Sequence, residues 1–203
     1  QLSTSVSAFN GLGFPSFIGT RAVTEQQTKT KALFANLDFD INDALTFHAG
    51  ARRTWSDTDF SGCMQDRDGN YASGITVITR RLNPSAPAAQ PQGCVTFMPD
   101  ATAGRPFVGS LDQSNTSWRV GLDWKPMRGT LLYATLSKGY KSGSFPNINA
   151  TTFASFQPVT QESVLAYELG FKTDLGSRAI QLNGAVFYYD YRDKQFRARI
   201  VDA

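Results

Sequence analysis

The sequence predicts an all-β protein. It reads as an antiparallel transmembrane β-barrel segment of about six to seven strands, with short periplasmic turns and long extracellular loops. Three observations predict this. Six runs of ten to fourteen residues alternate apolar and polar side chains. Tight turns join the runs in pairs, whereas much longer connections, 59–114 and 142–160, separate the pairs. Short reversals at one end and long loops at the other mark a barrel wall. Aromatic residues on the apolar face also gather toward the two ends of the runs.

The runs lie near 29–40, 45–58, 115–125, 130–141, 163–173 and 178–191. Their turns are Ile41 to Ala44, Pro126 to Gly129 and Asp174 to Ser177. These contain Asn, Asp, Pro and Gly, which tolerate positive φ, pre-set φ or bond their own backbone. Successive strand side chains face opposite ways. In the first run Leu33, Ala35, Leu37 and Phe39 oppose Asn36, Asp38 and Asp40. In the second, Leu45, Phe47, Ala49 and Ala51 oppose Thr46, His48, Gly50, Arg52 and Thr54. In the third, Trp118, Val120, Leu122 and Trp124 oppose Arg119, Gly121 and Asp123. In the fourth, Leu132, Ala134 and Leu136 oppose Tyr133, Thr135 and Lys141. Leu165, Tyr167, Leu169 and Phe171 oppose Glu168, Gly170 and Lys172 in the fifth. Ile180, Leu182, Val186 and Tyr188 oppose Gln181, Asn183 and Tyr189 in the sixth.

A soluble sandwich would alternate as well, with its apolar face inward. Length favours the membrane. About twelve residues at ~3.3 Å each, tilted ~40°, cover the hydrocarbon thickness, whereas soluble strands usually have about five or six residues. The aromatic sorting agrees. Phe39, Phe47, Trp124 and Phe171 sit toward the short-turn end, and Trp55, Trp118, Tyr140 and Tyr188 toward the other. Two such rings are what the two lipid–water interfaces select.

Composition narrows the function. A net charge of +3 over 203 residues is too mild to argue for nucleic acid. No apolar run reaches the roughly eighteen residues that a transmembrane helix needs. Gln1 opens the chain without a signal peptide, so it reads as a mature form or a piece of a longer protein. The whole of 1–203 reads as one partial barrel domain. Residues 1–28 read as a loop or the remnant of a preceding strand. The stretch from Gln195 to Ile200 reads as a seventh strand cut short. Tyr71 to Pro99 is the loosest stretch, and Pro84, Pro87 and Pro91 exclude a central strand there.

Cys63 and Cys94 both fall in the 59–114 connection. An even cysteine count in one loop of an exported chain suggests a disulfide, worth roughly 3 kcal/mol by chain entropy. The alternative is two free thiols.

No residue set looks catalytic, and no cofactor or metal is expected. His48 is the only histidine, which excludes a two-histidine metal site. Asp66-Arg67-Asp68-Gly69-Asn70 has the look of a calcium loop but lacks the downstream bidentate Glu, so it reads as an Asx-built turn. The candidate substrate-binding residues are Arg52, Arg119 and Lys141 on the lumen face, with Phe60, Tyr71, Phe97 and Phe145 in the loops. The cations would either attract an anionic cargo or pair with carboxylates such as Asp123 and Glu168. The aromatics would either stack on substrate or pack the loops together.

Several segments resemble TonB-dependent outer-membrane receptors. Thr30-Lys31-Ala32-Leu33-Phe34-Ala35, leading to Leu45-Thr46-Phe47-His48-Ala49-Gly50-Ala51-Arg52, resembles that family's "A-L-F … L-T-x-x-x-G-x-R" hairpin. Tyr133 to Gly143 is similar to its "Y-x-x-x-S-x-G-Y-K-x-G" strand. Glu162 and Tyr167-Glu168-Leu169-Gly170-Phe171-Lys172 are similar to "E-x-x-x-x-Y-E-x-G-x-K". Ala185-Val186-Phe187-Tyr188-Tyr189 and Asp193-Lys194-Gln195 resemble the strand and exit that follow. The resemblance covers 29–58 and 115–195, and the loop at 59–114 matches nothing.

The resemblance implies a barrel of about 22 strands with a plugged lumen. It implies import of bulky nutrients such as ferric siderophores, haem, cobalamin or oligosaccharides, driven by an inner-membrane TonB complex. This chain carries neither plug nor TonB-contacting segment. The expectation is therefore a wall segment of a receptor in the bacterial outer membrane. Its partners would be outer-membrane lipid, its own plug domain, the TonB complex through the absent N-terminal region, and a small-molecule substrate, a ferric siderophore first. The alternative is a small complete barrel of about eight strands, acting as a passive pore or an adhesion and interaction protein. A lipase-type barrel enzyme is disfavoured by the lack of a Ser–His constellation.

Overall fold

The computed structural model describes residues 19–175 and 180–196. Six strands run through them: β1 (Thr20–Asn42), β2 (Leu45–Asp66), β3 (Phe107–Met127), β4 (Thr130–Lys141), β5 (Glu162–Leu175) and β6 (Ile180–Arg192). They form one sheet in sequence order, so each strand lies beside its chain neighbour. The β4–β5 register is unbroken from Thr130 opposite Thr173 to Lys141 opposite Glu162. The β5–β6 register runs from Ser163 opposite Arg192 to Leu175 opposite Ile180. The reversals are local chemistry. Asn42 Oδ1 accepts the Ala44 N–H at 2.9 Å, and Gly129 takes φ 79°, which a side chain would resist.

β4 has the predicted bounds, β5 differs from its own by one or two residues, and β6 ends one residue later than predicted. β1, β2 and β3 are much longer than their alternating runs, at 23, 22 and 21 residues. β1 starts at Thr20, so residues 20–28 belong to this strand and not to a loop or an earlier strand's remnant. β2 continues to Asp66 and β3 begins at Phe107, which confines the connection between them to 67–106. In 20–28 both faces are polar, yet the backbone ladder needs no apolar stripe to persist. In β2 the pattern breaks after Trp55 because Ser56, Thr58, Phe60, Cys63, Met64 and Asp66 become buried. The predicted strand start at 178, the end of the third turn and most of the proposed seventh strand lie outside the described residues.

A helix, α1 (Asn70–Leu82), occupies part of the stretch read as loose. Ala72, Ile75 and Thr79 recur at helical spacing and are buried. The acidic run leads into it. Asp66 accepts the Asp68 N–H at 3.3 Å and Asp68 accepts the Asn70 N–H at 3.1 Å, as Asx turns do. Asp66 Oδ2 also accepts the Ala72 N–H at 3.0 Å, satisfying a donor in the helix's first turn.

The chain divides into two compact units. The loop unit comprises the described residues up to 29 together with 57–111 and 144–159; the wall unit comprises 30–56, 112–143 and 160 onward. The loop unit is built like a small soluble core. Met64, Ala72, Ile75, Ala89, Val95 and Ala103 form one cluster, with Tyr71 packed on it. Phe60, Phe145, Ala150 and Phe156 form another, with Phe107, Leu111 and Ile148. Cys63 and Cys94 are joined by a disulfide, S–S 2.06 Å. Beside it the Val95 N–H donates to Met64 O at 2.8 Å, and the Thr96 hydroxyl accepts the Met64 N–H at 2.8 Å.

The wall unit is the reverse. Among the described residues all the fully buried hydrophobic side chains belong to the loop unit. The alternating apolar face of the wall stays open, with Leu33 71%, Leu169 60% and Val186 68% exposed. A soluble sandwich would cover this face. Here alternation has produced an apolar surface with nothing over it among the described residues.

Candidate functional site

The polar face of the wall unit carries a graded set of side chains on β1, β2 and β3. Near the Asn42–Ala44 turn, the Thr46 hydroxyl donates to Asp40 at 2.7 Å. His48 then stands between two carboxylates, with Nδ1 2.7 Å from Asp38 and Nε2 3.3 Å from Asp123. The Asp38 and Asp123 carboxylates thus share the one imidazole. On β5, Glu168 accepts the Tyr133 hydroxyl at 2.8 Å.

Farther along the same face lies a groove of about 340 Å³, lined by Phe34, Asn36, Gly50, Arg52, Ser117 and Arg119 among others. Its depth comes from Gly50, where a Cβ would fall 2.5 Å from Asn36 Oδ1. Arg52 donates to Thr54 Oγ1 at 3.3 Å. Neither Arg52 nor Arg119 has a carboxylate within 4.0 Å among the described residues. Asp123 and Glu168, the carboxylates expected as partners for these cations, contact His48 and Tyr133 instead. Arginine keeps its charge at any physiological pH and offers five donors in a fixed fork. Two such groups beside an aromatic ring and an amide suit a planar anionic ligand.

The structure therefore brings Arg52 and Arg119 to one groove. It places the other sequence candidates elsewhere. Lys141 ends β4 opposite Glu162, and its Nζ lies 3.8 Å from Glu162 Oε2. Phe60 and Phe145 are corrected: they are 3% and 5% exposed and stack on each other at 4.7 Å, so they pack the loop unit and present no ring to a ligand. Phe97 is half-buried, its backbone bonded to Thr151 and Phe153. Tyr71 is half-buried against the Met64 cluster, where burial first and then the Asp66 carboxylate push its phenol up from the ordinary tyrosine range. Phe34, Asn36 and Ser117 were not singled out as site residues, although alternation puts each on the same face as Arg52 and Arg119.

The aromatics assigned to the membrane interfaces lie on the open apolar face. Phe39, Trp55, Trp124, Phe171 and Tyr188 are exposed, while Phe47, Trp118 and Tyr140 are half-covered by strand neighbours. An uncovered apolar face backed by a polar, arginine-lined one, on an up-and-down antiparallel sheet, defines a wall segment of a membrane β-barrel. Comparison with known proteins narrows this class. Residues 2–203 match the family described as TonB dependent receptor-like, beta-barrel, and the chain belongs to that family. Its fold is similar to the crystal structure of the ferric yersiniabactin uptake receptor FyuA from Yersinia pestis, with a TM-score of 0.58 at 16% identity. That match covers 89% of this chain and 22% of the receptor, so the chain spans about a fifth of the receptor's length.

Proposed function

We propose that this chain is a wall segment of an outer-membrane receptor for energy-coupled uptake of a scarce nutrient. The family match over 2–203, together with the open apolar face, supports the reading. In it, 1–203 is one partial barrel domain with the short turns at the periplasmic end. The loop unit faces the exterior, where its disulfide would persist. The plug domain and the TonB complex are partners of the complete receptor. The chain does no bond chemistry itself.

The cargo we propose is an anionic ferric siderophore. Arg52 and Arg119 carry this reading, because among the described residues no carboxylate lies within 4.0 Å of either. The similar structure is that of a ferric yersiniabactin uptake receptor, which supports an iron complex as the first cargo to try. The test is ⁵⁵Fe-siderophore uptake by cells whose receptor carries Arg52→Gln and Arg119→Gln. The expected result is a rise in the half-saturating concentration of about thirtyfold or more, from two charge-assisted contacts at roughly 1–2 kcal/mol each. Unchanged uptake of every ferric complex tried, with normal receptor levels, would remove the arginines from the binding path. Loss of the gene without any uptake defect would remove the transport reading itself.

A further inference from the structure

Three aromatic residues stand in alternate positions on the polar face of β6: Phe187, Tyr189 and Tyr191. The Phe187 and Tyr189 rings stack with centres 4.9 Å apart, and Tyr191 meets Tyr189 edge-on at 6.3 Å. Lys194 Nζ lies 5.0 Å from the Tyr191 ring centre. A ladder of rings on a strand normally belongs to a core. Here the three side chains stay 65%, 45% and 45% exposed, on the face that alternation turns away from lipid. Contiguous exposed rings of this kind mark a surface that something covers.

The strand registers tie the ladder to the arginine groove. Arg119 lies opposite Ser137, Ser137 opposite Ala166, and Ala166 opposite Tyr189, so one row crosses β3 to β6. In the next row toward the long loops, Gly139 lies opposite Val164 and Val164 opposite Tyr191. Between the guanidinium and the tyrosines the wall thus carries Ser137, Ala166, Gly139 and Val164, none longer than valine. Even a Cβ added at Gly139 would meet nothing nearer than 3.6 Å. Strands lie about 4.8 Å apart, so three spacings set the two banks of this trough about 14 Å apart along the sheet. Glu168, opposite Phe187, and Asp123, opposite Tyr133, fall in rows nearer the short turns. Neither row of the trough carries a carboxylate.

The two banks ask for different chemistry in one ligand. Guanidinium forks hold oxyanions. A tyrosine face carries the negative end of the ring quadrupole, so it repels a bare oxyanion and accepts the edge or offset face of another arene. An anionic complex without rings gains from one bank only. We propose that Tyr189 and Tyr191 select, among anionic metal complexes, those chelated by aromatic oxygen donors of the phenolate or catecholate type. Arg52 and Arg119 hold the negative charge, and the tyrosines stack on a ring that points away from the metal. The proposal rests on the anionic-cargo reading of the Arg52–Arg119 groove.

The test uses the full-length receptor and isothermal calorimetry. The probes are the exchange-inert tris(catecholato)chromate(III) and tris(oxalato)chromate(III), which match in charge and coordination geometry and differ in their rings. The wild type should bind the catecholate complex about tenfold more tightly. Tyr189→Leu with Tyr191→Leu should abolish that preference, Tyr189→Phe with Tyr191→Phe should keep it, and circular dichroism melts should match. Arg52→Gln with Arg119→Gln should weaken both complexes alike. Equal binding of the two complexes by the wild type, a result that needs no variant, would overturn the proposal while leaving the anionic-cargo reading standing. So would a preference that survives the leucine pair, as expected if the plug covers both rings. Unchanged binding of both complexes by the glutamine pair would overturn the anionic-cargo reading and the proposal with it.

Discussion

Phe156 is the sharpest place to perturb the loop unit. It is fully buried, 0% exposed. Its ring lies 5.7 Å from that of Phe107 and 5.8 Å from that of Phe60. Phe156→Ala removes most of a buried ring and leaves a cavity that a disulfide-tied unit can collapse around only in part. Such substitutions cost about 3–5 kcal/mol. At about 1.4 kcal/mol per factor of ten, 4 kcal/mol raises the local opening constant by nearly a thousandfold. Hydrogen exchange of the full-length receptor reads this directly. The amides to follow are Val95, Phe97 and Phe153, whose N–H groups donate to Met64, Thr151 and Phe97. Their exchange should accelerate by two to three orders of magnitude, with β4–β5 ladder amides unchanged. Less than a tenfold change at those three amides, in a protein that still folds, would refute the assignment of Phe156 to a core.

Three further outcomes are expected. Replacing Cys63 and Cys94 by Ser, which releases a loop of sequence separation 31, should cost about 3.7 kcal/mol in the chain-entropy model. The cost should appear as faster exchange in 57–111, and wild-type exchange after the double replacement would contradict it. Gly170→Ala sets a Cβ 2.4 Å from Tyr133 Cζ and disturbs the Tyr133–Glu168 bond. It should lower the melting midpoint by the equivalent of about 1–3 kcal/mol, whereas Gly139→Ala meets nothing nearer than 3.6 Å and should be close to neutral. The carboxyl of Asp100 is held below its ordinary 3.8 by the Thr102 hydroxyl first and by Arg105 as well. Because the folded value is the lower one, its contribution is present above pH 3.8 and lost as pH falls through the folded value. Exchange of the Thr102 amide, which donates to Asp100, should stay flat after correction for intrinsic rates down to that pH and then rise.

How much of this was legible in the sequence depends on what each stretch faces. β4, β5 and β6 were readable because one side meets an apolar medium and the other a polar one, so period two is written into Leu132, Ala134 and Leu136 or Leu165, Tyr167 and Leu169. Residues 20–28 carry no such signal, because a strand with two largely polar faces is held by its backbone ladder and by polar side-chain bonds such as Arg21 to Gln65 and Thr28 to Thr58. Beyond Trp55 the signal fails for the opposite reason: Phe60, Cys63 and Met64 are covered by the loop unit's own core, so apolar side chains fall on both faces of β2. Helix α1 was hidden among Gly and Pro, although Ala72, Ile75 and Thr79 held its spacing and Asp66 its cap. Of the candidate site, alternation alone placed Arg52 and Arg119 on one face. That Phe60 and Phe145 stack on each other required the return of 144–159 onto the end of β2, and no local pattern encodes that contact.

The central claim is that the alternating apolar face of the wall meets lipid while the groove face meets water. Single spin labels at positions 33 to 39 of the receptor, reconstituted in bilayers, test it most directly. Collision with oxygen, which dissolves in lipid, and with a water-soluble nickel chelate is measured at each site. The account predicts strict alternation: Leu33, Ala35, Leu37 and Phe39 favour oxygen, and Phe34, Asn36 and Asp38 favour the chelate. Chelate access at Leu33 and Leu37 equal to that at Asn36 and Asp38 would contradict it.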